Sequence, residues 1–144
     1  MAGFLGTDAS FLSDFSLVLT WALGAAAALG AINGRRRRIS KHCPIMATAA
    51  LLNWLPILVV MIPTWSGAAA GTADVPGGLP RIGSIGHGLI GAATQLVMTY
   101  TVVRMVWLED LPPKRGIWLM RIAIGLWILT VLGGTGVYVS LYVG

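Results

Sequence analysis

The segment Ile117–Val143 reads IWLMRIAIGLWILTVLGGTGVYVSLYV and decides the fold class of this 144-residue chain. Its 27 residues include one charged side chain, that of Arg121. A helix needs about 20 apolar residues to cross the roughly 30 Å hydrocarbon core of a bilayer, because each residue adds only about 1.5 Å of length. The segment is therefore predicted to be a membrane-spanning helix.

Three further apolar segments precede it and have similar lengths. They are Phe15–Ile32, Ile45–Trp65 and Ser84–Trp107. Hydrophobic residues make up 56% of the chain and charged residues 10%, with a mean hydropathy of +0.81. Soluble domains carry about 25% charged residues, so this composition excludes an ordinary soluble enzyme or a disordered chain. We predict an all-α fold, a single domain of four transmembrane helices in an antiparallel bundle.

The basic residues lie on one side of this bundle. Nine of the ten occur in or beside the two short connections that follow the first and third helices, and Arg81 is the exception. Positive residues concentrate on the cytoplasmic side of membrane proteins. Both short connections are therefore predicted to be cytoplasmic, and both termini and the loop Ser66–Gly83 are predicted to lie outside.

The net charge of +5 and the run Arg35–Arg38 also raise the question of nucleic-acid binding. A topology signal that contacts anionic lipid headgroups is the better interpretation, so no nucleic-acid partner is expected. Long basic side chains at helix ends reach the headgroup region. The residues expected to bind phospholipid are Arg38, Lys41, Arg104 and Arg121.

Three polar residues are expected to make structural contacts inside the bundle. Asn53 and Gln95 fall near the centres of the second and third helices, so we predict that both face the interior, where they can bond to each other. A ligand-binding role for the two amides is the minority interpretation. Asp14 begins the first helix on the outer side, where His87 or Arg81 can pair with it.

The second predicted helix contains Pro56 and Pro63. Proline removes a backbone donor from the helical ladder, so a kink, or an early end near Pro63, is expected. The following segment, Ser66–Gly83, is rich in glycine, alanine and proline and is predicted to be an irregular loop.

Two histidines are candidate haem or metal ligands. His42 begins the second helix and His87 begins the third, so in an antiparallel bundle they lie about a membrane thickness apart and cannot share one haem. Met46 lies one turn from His42 and cannot occupy the opposite axial position. Two arrangements for haem b stay open: ligation by His42 with a residue of another helix, and ligation by His87 with a residue of a partner protein. Apart from these, no intrinsic cofactor is expected. The single cysteine, Cys43, excludes an intrachain disulfide.

No catalytic motif emerges from the sequence. It shows no paired carboxylates, no Ser-His-Asp grouping, no phosphate-binding glycine motif and no metal-ligand spacing. We therefore expect that the protein is not an enzyme.

Parts of the last three predicted helices resemble a known family. They are the run Arg38-Ile39-Ser40-Lys41-His42 with the following Met46, the His87 that opens the third helix, and, in the last helix, Ile117-Trp118, Leu126-Trp127 and Thr135-Gly136-Val137-Tyr138. The family that they resemble is the CtaM/YozB-like family of four-helix bacterial membrane proteins of unknown function, some of them implicated in the assembly of haem-copper oxidases. The resemblance implies a multi-pass protein of the bacterial inner (cytoplasmic) membrane. The family commonly has a histidine beside an arginine before its last helix, whereas the segment Leu111–Gly116 has none.

These features support three hypotheses about function. The first is a non-catalytic accessory subunit of a bacterial respiratory or photosynthetic electron-transfer complex, with other membrane subunits and anionic phospholipid as partners. The second is an assembly factor or carrier for haem or copper that uses His42, His87 and Cys43. The third and weakest is a small oligomeric transporter.

Overall fold

The computed structural model describes residues 3–71 and 78–143. Four of its helical segments are long and apolar enough to cross a membrane. We call them the first to fourth spans: Phe11–Arg35, Ile39–Gly67, Pro80–Trp107 and Lys114–Tyr142. The predicted all-helical fold with four candidate membrane spans is confirmed.

The first and fourth spans are continuous helices, whereas the second and third are interrupted. The first span is the helix Phe11–Arg35, and the fourth belongs to the helix Pro113–Tyr142. The second span comprises the helix Ile39–Leu52, a short helix Trp54–Pro56, a π-helical turn Ile57–Met61 and a helix Ile62–Ala70. The third comprises the helix Leu79–Val102 and a π-helical turn Val103–Trp107.

The irregularity of the second span follows from its prolines. Pro56 has no N–H to donate to the preceding turn, and the chain adopts a π-helical turn directly after it. The predicted early end near Pro63 does not occur, because the helix runs on to Ala70 through an alanine-rich stretch with high helix propensity. The predicted loop Ser66–Gly83 is correspondingly shorter, and its residues 72–77 lie outside the described part of the chain.

The four spans pack as a ring. The closest packing joins the third span to the fourth and the first to the second; the second span also contacts the third, and the first contacts the fourth. Side chains from all four spans form the core, including Leu23, Ala49, Ala50, Met98 and Trp127. In each span no more than 28% of the most apolar window is buried within the chain. Most of the helical surface therefore faces lipid or another protein.

The bundle has two distinct ends. The terminal end carries the start of the first span and the end of the fourth. The arginine end carries residues 36–38 and 108–112, the two short connections between helices. Each connection contains one residue in the left-handed region, Arg37 at φ 56° and Glu109 at φ 51°, which reflects how tightly the chain turns there.

Candidate functional site

Two amide side chains meet in the interior, one from the second span and one from the third. Asn53 Nδ2 donates to Gln95 Oε1 at 2.9 Å, and Gln95 Nε2 donates to the carbonyl oxygen of Ala50 at 2.8 Å. Both amides are buried, Gln95 at 1% exposure. Asn53 and Gln95, which were both predicted to lie near the centre of a membrane helix, are therefore in contact in the structure. Such contacts hold membrane helices together.

Asp14 is the centre of a polar cluster at the terminal end, where its side chain is fully buried. The Tyr138 hydroxyl donates to Asp14 Oδ1, and the Leu5 amide donates to Oδ2 at 2.8 Å. Thr7 Oγ1 lies 2.7 Å from the Tyr138 hydroxyl oxygen and extends the cluster. The cluster joins the beginning and the end of the chain.

Asp14 was predicted to pair with His87 or Arg81. In the structure its carboxylate instead accepts hydrogen bonds from Tyr138 and Leu5. The segment before the first span folds back, and the Gly3 amide donates to the carbonyl oxygen of Ala9 at 2.7 Å. The Leu5 amide consequently reaches the carboxylate. Helix spacing in the sequence contains no signal for this return of the chain.

A groove of about 350 Å³ opens between the third and fourth spans in the terminal half. Small residues line much of it, among them Gly83, Gly133 and Gly136. His87 also lines the groove, and its ring packs so closely on the fourth span that a Cβ atom on Gly134 would lie 2.8 Å from Cε1. His87 Nδ1 is buried and has no hydrogen-bond partner among the described residues. An unsatisfied polar atom at membrane depth is costly, and here the chain itself covers the nitrogen.

A second cavity, of about 70 Å³, lies at the arginine end and is lined by soft side chains. We call it the sulfur cavity, and its side chains with nitrogen or sulfur atoms are His42, Cys43, Met46, Met98, Met105 and Met120. They come from the second, third and fourth spans. Four of the six methionines in the sequence line this one cavity.

The His42 ring is held in one orientation inside the sulfur cavity. Nδ1 lies 2.8 Å from the carbonyl oxygen of Gly30, and Nε2 lies 3.3 Å from Met120 Sδ. Only 7% of His42 is exposed, and a Cβ atom on Gly34 would lie 2.9 Å from its Nδ1. Because a carbonyl oxygen can only accept, Nδ1 carries a hydrogen, and in the neutral ring the Nε2 lone pair faces the sulfur.

The size of the sulfur cavity limits what it can hold. Pockets for cofactors and other small molecules have volumes of about 300–1,000 Å³, so a cavity of about 70 Å³ is below that range and suits an ion. His42 and His87 lie at opposite ends of the bundle, on different spans. Within residues 3–71 and 78–143, no three His, Cys, Asp or Glu side chains come together as a metal site. Four thioether side chains line the sulfur cavity.

The basic residues expected to bind lipid have different surroundings. Arg104 Nε donates to Asp110 Oδ1 at 2.6 Å, and its guanidinium lies 5.6 Å from the centre of the Tyr100 ring. Arg121 is exposed on the fourth span. Arg38 and Lys41 are exposed at the start of the second span. Phospholipid binding by these residues stays a prediction, and the Arg104 charge is already compensated in part.

Sequence reasoning missed the sulfur cavity because it considered methionine only as a second axial ligand of haem. Met46 lies about two turns inside the second span, Met105 lies in the last turn of the third and Met120 lies near the start of the fourth. All three therefore have a depth similar to that of His42. The similar positions of these residues along their spans were the signal in the sequence that could have predicted the cavity.

Comparisons of this chain with protein-family models, with curated proteins and with solved structures found no match. The resemblance to the CtaM/YozB-like family therefore rests on the residues quoted for it.

Proposed function

We propose that this chain is a non-catalytic accessory subunit of a larger membrane complex of the respiratory or photosynthetic electron-transfer class. The observation that carries the proposal is the groove between the third and fourth spans, which small residues and His87 line. A partner helix that packs into this groove would cover its exposed small residues.

The walls of the groove favour a helix as the occupant. Gly136 and Ser140 lie four residues apart on one helical face and are both exposed. A Cβ atom on Gly136 would have no atom within 4 Å. Small residues at this spacing let a neighbouring helix backbone approach closely, which is how helices associate where water does not drive them together.

Filling the groove tests this proposal. The variant Gly136→Leu places a bulky side chain where a partner helix would lie, and the chain itself has room for it. Gly125→Leu is the matched control, because Gly125 is also exposed on the fourth span, has no atom within 4 Å of a Cβ position and does not line the groove.

The measurement is recovery of the tagged protein from its native membrane in mild detergent, with a visible spectrum of the eluate. We expect the wild-type chain and Gly125→Leu to elute in fixed ratio with a complex that shows haem or chlorophyll absorption, and Gly136→Leu to elute without it. Recovery of all three alone and colourless, or with phospholipid or a second copy as the only occupant, would contradict the accessory role.

A second candidate, a carrier or assembly factor for haem or copper, is favoured by the orientation of His42. A metal-binding histidine almost always donates its other ring N–H to a carbonyl, carboxylate or water, and His42 Nδ1 is bonded to Gly30 in this manner. Nε2 then lies 3.3 Å from Met120 Sδ, which also lines the sulfur cavity. Copper loading of a partner oxidase in cells that carry His42→Gln tests this candidate, which predicts a loss of loading.

A further inference from the structure

We propose that the sulfur cavity is a binding site for one Cu(I) ion, with His42 Nε2 and Met120 Sδ as its first two ligands. The inference rests on the carrier candidate above for its biological use and is independent of the accessory role. Copper enters and leaves as Cu(I), so no electron is exchanged and no oxidant or reductant is needed.

The contact between His42 and Met120 is the first argument. In the neutral ring, Nδ1 carries the hydrogen that Gly30 accepts, and Nε2 keeps a lone pair. The thioether of Met120 also presents lone pairs and has no hydrogen to donate. Two electron-rich atoms therefore lie 3.3 Å apart in a buried cavity. A cation held by both atoms would make this arrangement favourable.

The distance between the two atoms suits a shared metal ion. Metal–nitrogen and metal–sulfur bonds of about 2.0 and 2.3 Å, as found at zinc, place two ligands of a tetrahedral ion roughly 3.5 Å apart. The observed 3.3 Å is only slightly shorter. A small outward movement of the flexible Met120 side chain would therefore admit an ion.

The other sulfur-containing side chains of the cavity indicate which kind of ion it would bind. Met46, Met98 and Met105 line the same cavity, and so does Cys43. Thioethers and thiolates are soft ligands that select Cu(I), whereas magnesium, calcium and manganese prefer oxygen. The sole hydroxyl-bearing side chain in the described lining, Thr101, donates to the carbonyl oxygen of Val97. The donor set therefore favours a soft monovalent ion.

Two glycines make room for the sulfur atoms. A Cβ atom on Gly30 would lie 2.6 Å from Met46 Sδ, and one on Gly116 would lie 2.5 Å from Met105 Sδ. Met105 also belongs to the π-helical turn Val103–Trp107, and π-helical turns occur frequently at functional sites. The missing side chains of these two glycines therefore leave the space that the sulfur atoms of Met46 and Met105 occupy.

The test uses the purified full-length chain in detergent under anaerobic conditions. Cu(I) is supplied as its coloured complex with the chelator bicinchoninate, and loss of colour reports transfer to the protein. We expect one Cu(I) per chain for the wild type. X-ray absorption at the copper edge is expected to show both nitrogen and sulfur neighbours.

Met120→Leu is the decisive variant, because a swap of methionine for leucine largely conserves volume and is usually well tolerated in a core. Met61→Leu is the matched control, since Met61 belongs to the π-helical turn of the second span and does not line the cavity. Met120→Leu is expected to weaken Cu(I) binding by at least about tenfold, the effect that even an outer partner of a metal site has, whereas Met61→Leu leaves it unchanged.

Three results would overturn the site. They are a folded wild type that leaves Cu(I) with the chelator, equal binding by Met120→Leu and Met61→Leu, and an absorption spectrum without sulfur neighbours. If the site fails these tests, the carrier candidate would no longer include copper as its cargo. The accessory role and its Gly136→Leu test would be unaffected.

Discussion

The hydroxyl of Tyr138 donates a hydrogen bond to the buried carboxylate of Asp14, across 124 residues of sequence. This contact closes the ring of spans, because Asp14 begins the first span and Tyr138 lies near the end of the fourth. A buried carboxylate requires such donors, since its charge is poorly tolerated without them. The pair therefore holds the terminal end together.

Removal of the hydroxyl should lower thermal stability. Tyr138→Phe keeps the ring and its packing against Tyr142, whose ring centre lies 5.2 Å away, but leaves Asp14 Oδ1 without this donor. We expect a lower Tm for Tyr138→Phe in detergent and little change for the control Tyr142→Phe. Equal Tm values for the two variants would show that the bond does not contribute to stability.

The amide pair is expected to show an energetic coupling. Gln95→Leu leaves the Asn53 amide and the Ala50 carbonyl without their partner, and Asn53→Leu leaves Gln95 Oε1 without its donor. The double variant should therefore lose less than the sum of the two single losses, with a coupling of about 1 kcal/mol. Unfolding of the four proteins in detergent measures this cycle, and additive losses would count against the contact.

The packing of His87 on the fourth span predicts opposite effects of two identical substitutions. Replacing glycine by alanine stabilises a helix by up to about 1 kcal/mol. At Gly125 nothing lies within 4 Å of the new methyl group. At Gly134 the methyl group would meet the His87 ring at 2.8 Å. We expect Gly125→Ala to raise Tm and Gly134→Ala to lower it. A stabilised Gly134→Ala protein would mean that the ring moves freely.

The distribution of positive charge predicts the orientation in the membrane. In a Cys43→Ala background, Asp8→Cys at the terminal end should react with a membrane-impermeant maleimide in intact cells. Lys114→Cys at the arginine end should react only after the cells are opened. Both positions are exposed in the structure. The reverse pattern of labelling would place both termini in the cytoplasm.

The two arginines near the ends of the third and fourth spans should differ in lipid binding. Arg121 is exposed, whereas Arg104 is paired with Asp110 at 2.6 Å. Arg121→Gln is therefore expected to reduce the retention of phosphatidylglycerol more than Arg104→Gln does. Native mass spectrometry counts the retained lipids, with phosphatidylethanolamine as the zwitterionic comparison. Equal losses would indicate that Asp110 does not compensate the Arg104 charge.

The sequence alone determined the four spans and predicted the contact between Asn53 and Gln95. Continuous apolar segments of membrane length leave the backbone no alternative to helices, because only a helix satisfies its own hydrogen bonds within one segment. A polar side chain near the middle of such a helix must turn inward, and the two amides had similar depth.

The tertiary structure decided which residues share a site. The fold-back of residues 3–10 gave Asp14 its partners, and the rotation of each helix brought His42, Met105 and Met120 to one cavity. Depth in the membrane can be read from position along a span. The direction in which a side chain points around the helix depends on the packing of neighbouring spans, which membrane-length apolar segments with weak amphipathic patterns do not encode.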